Sequence, residues 1–329
     1  MDLLLQRLWV VGICALMVTC ARGPSPTMTI PKEVTREALT EPQPCGALQE
    51  LLRAAAEVAL RECGTPLSER TLWASLIDLS DPRLPKMASY GGAEQVYPAS
   101  VVKAFYMVAA YHQVQEEMLR LDRSLRRDLR LMIEISDNEA TNRIVDRLTN
   151  TTSGDSLAAP AYDEFAYKRN WMNRYFRSLG FTHVNACQKT WDGEPYGRDL
   201  QLLGLPDGPN YVNSNKLTTD ETALLLYLID QRKVVSRSAC QAMLKLMRRA
   251  PDPADLFLAG VVPPDGRLWS KQGLVDSKRH DAGIIHLANG RRFILVVFTD
   301  KSAGDCDLLR RFARRVVDHY ASLPRAHPG

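Results

Sequence analysis

Apolar residues follow a helical period through most of the chain. The pattern begins at Gly46 to Arg61, where leucine and alanine recur every three or four residues. Further helices are predicted at 101–121, 124–135, 139–149, 163–179, 219–230 and 236–249. Residues 181–216 contain turn residues without a clear period, so an irregular segment is predicted there.

Strand patterns lie on both sides of this helical stretch. Thr71 to Leu79 is an apolar run of strand length, and further runs flank Asn289-Gly290, a two-residue hairpin signal. A last amphipathic helix is predicted over 305–321. This order predicts an α+β fold: an antiparallel sheet built from both chain ends and flanked by helices, with an inserted all-helical lobe.

The same patterns divide the chain into segments. Repeated prolines and weak apolar periodicity predict a linker over residues 23–45. A folded domain is predicted over 46–322, with an α/β lobe at 46–97 and 250–322, a helical lobe at 98–249, and a tail at 323–329.

The first 22 residues predict export. Leu8 to Cys20 is an apolar run preceded by Arg7, with a length that suits a secretory signal better than a membrane-spanning helix. Cys20 closes the run as a lipoprotein cysteine would, although the three residues before it match the usual small-residue pattern poorly. A periplasmic location is therefore expected, and a lipid anchor at Cys20 is left open.

Composition and charge exclude several classes. The 329 residues are 45% hydrophobic and 24% charged, and the net charge of +4 is spread without the basic stripe of a nucleic-acid binder. No cysteine has zinc-ligand spacing, so no metal site is predicted. In an oxidising compartment Cys45 and Cys63 could form a disulfide, but the five cysteines after Cys20 leave the pairing open.

Ser100 and Lys103 lie one helical turn apart at a predicted helix start, in YPASVVKAF. A partly desolvated lysine can lose its proton and act as base for a neighbouring hydroxyl. The S-x-x-K spacing alone is expected about once by chance in a chain of this length, so it does not identify a nucleophile.

Two further motifs contain candidate site residues. Ser136-Asp137-Asn138 lies between two predicted helices, where a hydroxyl can relay a proton and an amide can hold a substrate carbonyl, while Asp137 holds the loop. Lys271 lies in a predicted strand and can bind an anionic group, and Gly273 lets a substrate lie close to the backbone. Each motif alone is also explained by local structure, such as a helix N-cap.

In this order and context, the three motifs resemble the serine β-lactamase and penicillin-binding protein superfamily, and within it the class A β-lactamases most. The resemblance covers residues 46–322 and implies that the antiparallel sheet has five strands. Residues 213–229 (NSNKLTTDETALLLYLI) look like the class A segment that leaves the active-site loop and enters the next helix.

The resemblance implies a role for each motif residue. Ser100 would be the acylated nucleophile, Lys103 its base and Ser136 the proton relay. Asn138 would contact a substrate amide, and Lys271 would anchor the substrate carboxylate.

It also implies an oxyanion hole formed by the backbone N–H groups of Ser100 and Leu274. Gln272 stands where the family has Thr or Ser, so a hydroxyl that binds the carboxylate is replaced by an amide. Ser136 follows Ser100 more closely than in typical class A enzymes, which predicts a more open cleft.

The segment that would hold the base for deacylation departs from the family pattern. Class A enzymes place a glutamate after a tryptophan and before a proline, and here the segment reads Trp191-Asp192-Gly193-Glu194-Pro195. Glu194 is the predicted base, with Asp192 and Asp199 as alternatives.

The adjacent His280 and Asp281 are predicted to lie at the cleft rim, since neighbours on a strand point to opposite faces.

The function that the resemblance implies is an exported serine hydrolase that opens β-lactam rings through an acyl-enzyme on Ser100. The alternatives are a D,D-peptidase or related amidase or esterase, and a non-hydrolytic protein that binds β-lactams or cell-wall fragments. A monomer acting on a small molecule is expected, with no nucleic acid and no cofactor.

Overall fold

A computed structural model describes residues 40–204, 212–276, 278–300 and 306–326. The predicted signal segment, Cys20 and all but residues 40–45 of the linker lie outside the described residues. Among the described helices, none is both long and apolar enough to cross a membrane.

The sheet is built from both ends of the described chain, as predicted. Its strands are β1 (Gln43–Pro44), β2 (Leu72–Asp78), β3 (Lys86–Tyr90), β4 (Arg248–Arg249), β5 (Arg267–Val275), β6 (Lys278–His286) and β7 (Arg292–Thr299). Their order is β1-β3-β2-β7-β6-β5-β4, and only β1 pairs in parallel, with β3. The five inner strands, β3, β2, β7, β6 and β5, pair with one another in antiparallel fashion.

The prediction of a five-stranded antiparallel sheet was therefore wrong in number and type, since the sheet has seven strands and is mixed. The two additional strands, β1 and β4, have two residues each and read QP and RR. Segments so short and polar carry no period-two hydrophobic pattern, so only their pairing to a neighbour reveals them.

Ten helices complete the described fold. They are α1 (Gly46–Glu62), α2 (Lys103–Gln115), α3 (Arg123–Glu134), α4 (Asn138–Thr149), α5 (Ala161–Arg169), α6 (Trp171–Ser178), α7 (Gly197–Leu203), α8 (Thr219–Asp230), α9 (Arg237–Met247) and α10 (Leu308–Ser322). The predicted helix over 163–179 is two helices, separated at Asn170, whose side-chain amide donates to the Ala166 carbonyl. Residues 181–216, predicted to be irregular, contain α7.

Two hydrophobic cores lie on opposite faces of the sheet. One packs the sheet against α1 and α10, and the other packs it against the helical lobe. α2 and α8 are buried almost all round, because apolar residues cover every face of them. Burial of α2 matters for function, since its first residue is Lys103.

One disulfide, Cys63–Cys306, joins the end of α1 to the start of α10. Cys45 is a free thiol at the other end of α1, so the predicted Cys45–Cys63 bridge was wrong. A helix of 17 residues spans about 26 Å, far beyond the reach of a disulfide between its two ends.

Candidate active site

Ser100 lies in a tight 3₁₀ turn, Ala99–Val102, that leads directly into α2. Val101 and Val102 are fully buried and anchor the turn, while Ser100 remains partly accessible. Ala99 adopts the left-handed conformation with φ of 45°, a costly backbone state for a residue with a side chain. The nucleophile candidate is therefore held at the start of a buried helix.

Lys103 is fully buried beneath this turn. Its Nζ donates to the Ser136 carbonyl oxygen at 2.6 Å, to Asn138 Oδ1 at 2.6 Å and to Ser136 Oγ at 3.2 Å. Burial lowers the pKa of Lys103 to about 8, although the carboxylates of Asp192 and Asp137 oppose the shift. A substantial fraction of neutral amine is thus present at mildly alkaline pH, as a general base requires.

Ser136 lies in the connection between α3 and α4 with φ of 62°, a second left-handed non-glycine residue. Asp137 stabilises this connection, because its Oδ1 accepts from the Ala140 N–H at 2.6 Å as the N-cap of α4. The prediction that Asp137 holds the loop is confirmed.

Lys271 approaches the same hydroxyl from the sheet. Its Nζ donates to Ser136 Oγ at 2.9 Å and to the Gln272 carbonyl at 2.7 Å. Burial, and then repulsion from Lys103 and Arg249, lowers the pKa of Lys271 well below its usual value. The amines of Lys103 and Lys271 therefore both donate to the Ser136 hydroxyl oxygen. Because this oxygen acts as the acceptor in both bonds, the Ser136 proton remains available for donation to a substrate atom.

Gly273 permits β5 to run against the nucleophile turn. A Cβ at this position would lie 2.8 Å from the Pro98 carbonyl oxygen and 3.2 Å from the Ser100 nitrogen. Leu274 follows and is 58% exposed. The backbone of β5 and the Ser100 turn are thus neighbours, as the predicted oxyanion hole requires.

The three candidate carboxylates for deacylation have different surroundings. Asp192 accepts a hydrogen bond from the Asn138 side-chain amide, and Asn138 in turn accepts from Lys103. Asp199 is fully buried in an ion pair with Arg169, away from solvent. Glu194 is exposed and lies two residues after Asp192 in the same loop. Asp192 is thus joined to Lys103 by a chain of hydrogen bonds through Asn138.

The predicted rim position of His280 and Asp281 was wrong. Both side chains are fully buried in β6, where His280 Nδ1 accepts from the Thr299 N–H and Asp281 Oδ2 from the Leu258 N–H. β6 is an inner strand of the sheet, so residues on both of its faces are covered.

Sequence patterns missed two charged residues beside the site. The Arg249 guanidinium donates to the carbonyl oxygens of Ile133 and Glu134, at the end of the helix that leads to Ser136. Asp255 accepts from the Gln272 side chain. Neither lies in a motif, and each reaches the site only because strands or loops bring it there.

The fold and the site together define a serine hydrolase scaffold, and comparisons with known proteins agree. The family model of the Beta-lactamase enzyme family matches residues 123–320, more than half of the chain. The chain belongs to the β-lactamase enzyme family. No curated protein matches it.

Several solved structures share the fold. A β-lactamase from Sphaerobacter thermophilus DSM 20745 has 22% identity and a TM-score of 0.60, with 84% of this chain and 98% of that chain covered. PBP-A has 21% identity and a TM-score of 0.59, with 87% and 100% covered. An ancestral class A β-lactamase has 19% identity and a TM-score of 0.59, with 82% and 99% covered.

Proposed function

We propose that this protein is an exported serine hydrolase that opens β-lactam rings through a covalent acyl-enzyme on Ser100. The observation that carries the proposal is the convergence of Lys103 and Lys271 on the Ser136 hydroxyl, beside the turn that presents Ser100. Export, a periplasmic location and a lipid anchor at Cys20 stay predictions of the N-terminal sequence.

Acylation would use the groups of the site in sequence. Neutral Lys103 accepts the Ser100 proton while Oγ attacks the lactam carbonyl, and the tetrahedral oxyanion is bound by the N–H groups of Ser100 and Leu274. Ser136 then gives its proton to the leaving lactam nitrogen as the C–N bond breaks. The proton taken up by Lys103 returns to Ser136, so charge and protons balance.

Hydrolysis of the ester needs a base for water, and we assign this role to Asp192 rather than to the sequence candidate Glu194. The assignment is supported by the hydrogen bond from Asn138 to Asp192 and by the electrostatic effect of Asp192 on Lys103. Asp192 also directly follows Trp191, as the base does in the family that the sequence resembles.

Turnover of a chromogenic cephalosporin, followed together with the intact mass of the protein, tests the proposal. Continuous hydrolysis with a transient adduct supports a β-lactamase. An adduct that persists without hydrolysis supports the second candidate, a D,D-peptidase or binding protein. The absence of both overturns the acylation mechanism.

The second candidate has a specific observation in its favour. PBP-A resembles the chain as well as the β-lactamases do, and one of the similar structures is a mutant of PBP-A as an acyl-enzyme complex with penicillin-G. Persistence of the adduct on the wild-type protein would therefore decide between the two.

Acylation is expected to accelerate as pH rises. Because the pKa of Lys103 is lowered to about 8, the neutral base predominates only above that value. The rate at pH 7 should be about one tenth of an alkaline plateau. Stopped-flow acylation between pH 6 and 9.5 measures the profile. A midpoint near the ordinary lysine pKa, or a flat profile, would contradict Lys103 as the base.

Gly273→Ala is expected to slow acylation roughly 10- to 100-fold, because the added Cβ would meet the Pro98 carbonyl and displace β5 from the Ser100 turn. Burst amplitude and rate with a chromogenic substrate measure the effect. The control is Gly193→Ala, since a Cβ there meets nothing within 4 Å. Equal rates in both variants would show that β5 does not set the geometry of the nucleophile.

A further inference from the structure

The outer edge of β5 borders the proposed substrate site. β4 pairs with β5 at Leu268 and Trp269, and within the described ranges no other strand covers the edge beyond them. Successive side chains of a strand point to opposite faces, so Lys271 reaches Ser136 on one face and Gln272 extends on the other. A substrate group lying along this edge would contact both.

The carboxylate of Asp255 lies beside the Gln272 side chain. Gln272 Nε2 donates to Asp255 Oδ2 at 3.2 Å and lies 3.4 Å from Oδ1. Asp255 Oδ1 also accepts from the Phe257 N–H at 2.7 Å, which fixes the half-buried carboxylate in its own turn. The Gln272 side-chain amide stands where the family has a hydroxyl that binds the substrate carboxylate. This amide N–H group is thus directed at the negative charge of Asp255.

The cations nearby already have protein partners. Lys271 is fully buried, and its Nζ already donates to Ser136 Oγ and to the Gln272 carbonyl oxygen. Arg249 donates to the carbonyl oxygens of Ile133 and Glu134 at the negative end of α3. The charge of Arg249 therefore already has protein partners.

We propose that Asp255 determines the charge preference of this site, so that it favours acyl donors carrying an uncharged amide or ester group where class A enzymes take a carboxylate. A fixed carboxylate repels a second carboxylate at close range, whereas an amide N–H can donate to it. The inference rests on the proposed function, since it concerns the substrate of the same Ser100 site.

Acylation rates of a matched pair of ligands test it: one cephalosporin with its free ring carboxylate and the same compound as its methyl ester. The full protein is compared with Asp255→Asn, which keeps an oxygen for the Phe257 N–H and the Gln272 amide. The acid-to-ester ratio of second-order acylation rates should rise roughly tenfold in the variant, the size expected of one half-exposed charge.

Asp252→Asn is the matched control, because it removes the same charge from an exposed residue of the same loop. Asp255→Ser provides a second variant whose hydroxyl can still accept the turn hydrogen bond, should the first fail to fold. The inference is overturned if Ser100 is still acylated but the acid-to-ester ratio of acylation rates is unchanged in the position-255 variants. It is also overturned if Asp252→Asn changes this ratio by the same factor. Lack of any adduct with either ligand overturns the proposed function itself.

Discussion

Asp192→Asn is expected to trap the acyl-enzyme while leaving acylation intact. The substitution removes the carboxylate that would take a proton from water, but Asn retains an oxygen that can accept from Asn138. Loss of a general base typically costs about 10²- to 10⁴-fold, so the deacylation rate should fall by that factor. Intact-mass measurements after mixing with a penicillin would show an adduct that persists in the variant and decays in the wild type.

Glu194→Gln is the matched control for this prediction. It neutralises a carboxylate two residues away, in an exposed part of the same segment, and should deacylate at the wild-type rate. If Glu194→Gln traps the adduct and Asp192→Asn does not, the base is the residue that the sequence favoured. If the wild type already holds its adduct for hours, Asp192 does not activate water.

Ser100→Ala is expected to abolish both the adduct and turnover. Without the hydroxyl no ester can form, and removal of the nucleophile of a serine hydrolase lowers kcat by about 10⁴-fold or more. The 3₁₀ turn itself should persist, because its buried anchors are Val101 and Val102. Mass spectrometry, chromogenic turnover and a thermal unfolding curve together separate loss of chemistry from loss of fold.

Ser136→Ala supplies the comparison, since it removes the proton relay and keeps the nucleophile. Its acylation should be slowed but its adduct should still map to Ser100. An adduct on Ser100→Ala of the same mass as on the wild type would place the nucleophile elsewhere and contradict the mechanism.

Local patterns were sufficient for most helices and for the long strands. The predicted helix at 219–230 matches α8, and the predicted strand at 71–79 matches β2 to within one residue at each end. Both carry long apolar patterns, so local sequence and burial agree. The Asn289-Gly290 signal correctly located the hairpin between β6 and β7, with Gly290 at φ of 83°. The predicted two-residue turn was wrong, because the Leu287 N–H donates to the Arg291 carbonyl and closes a longer loop.

Long-range pairing could not be predicted in the same way. Cys63 pairs with Cys306 across almost the whole domain, and nothing in the sequence around either cysteine indicates its partner. The buried ion pair of Arg169 and Asp199 likewise removes one candidate base from the solvent. A carboxylate in a loop looks the same in sequence whether it is buried, exposed or aimed at the site.

The sequence by itself determined the family and predicted the main site residues, because Ser100, Lys103, Ser136 and Lys271 belong to short motifs in a fixed order. Only the tertiary structure joined Asp192 to Lys103 through Asn138, and only it placed Asp255 beside Gln272. The physical reason is that a motif contains only residues close together in the sequence, within one turn or strand. Charge and hydrogen bonding in the site depend instead on distant segments that packing brings together.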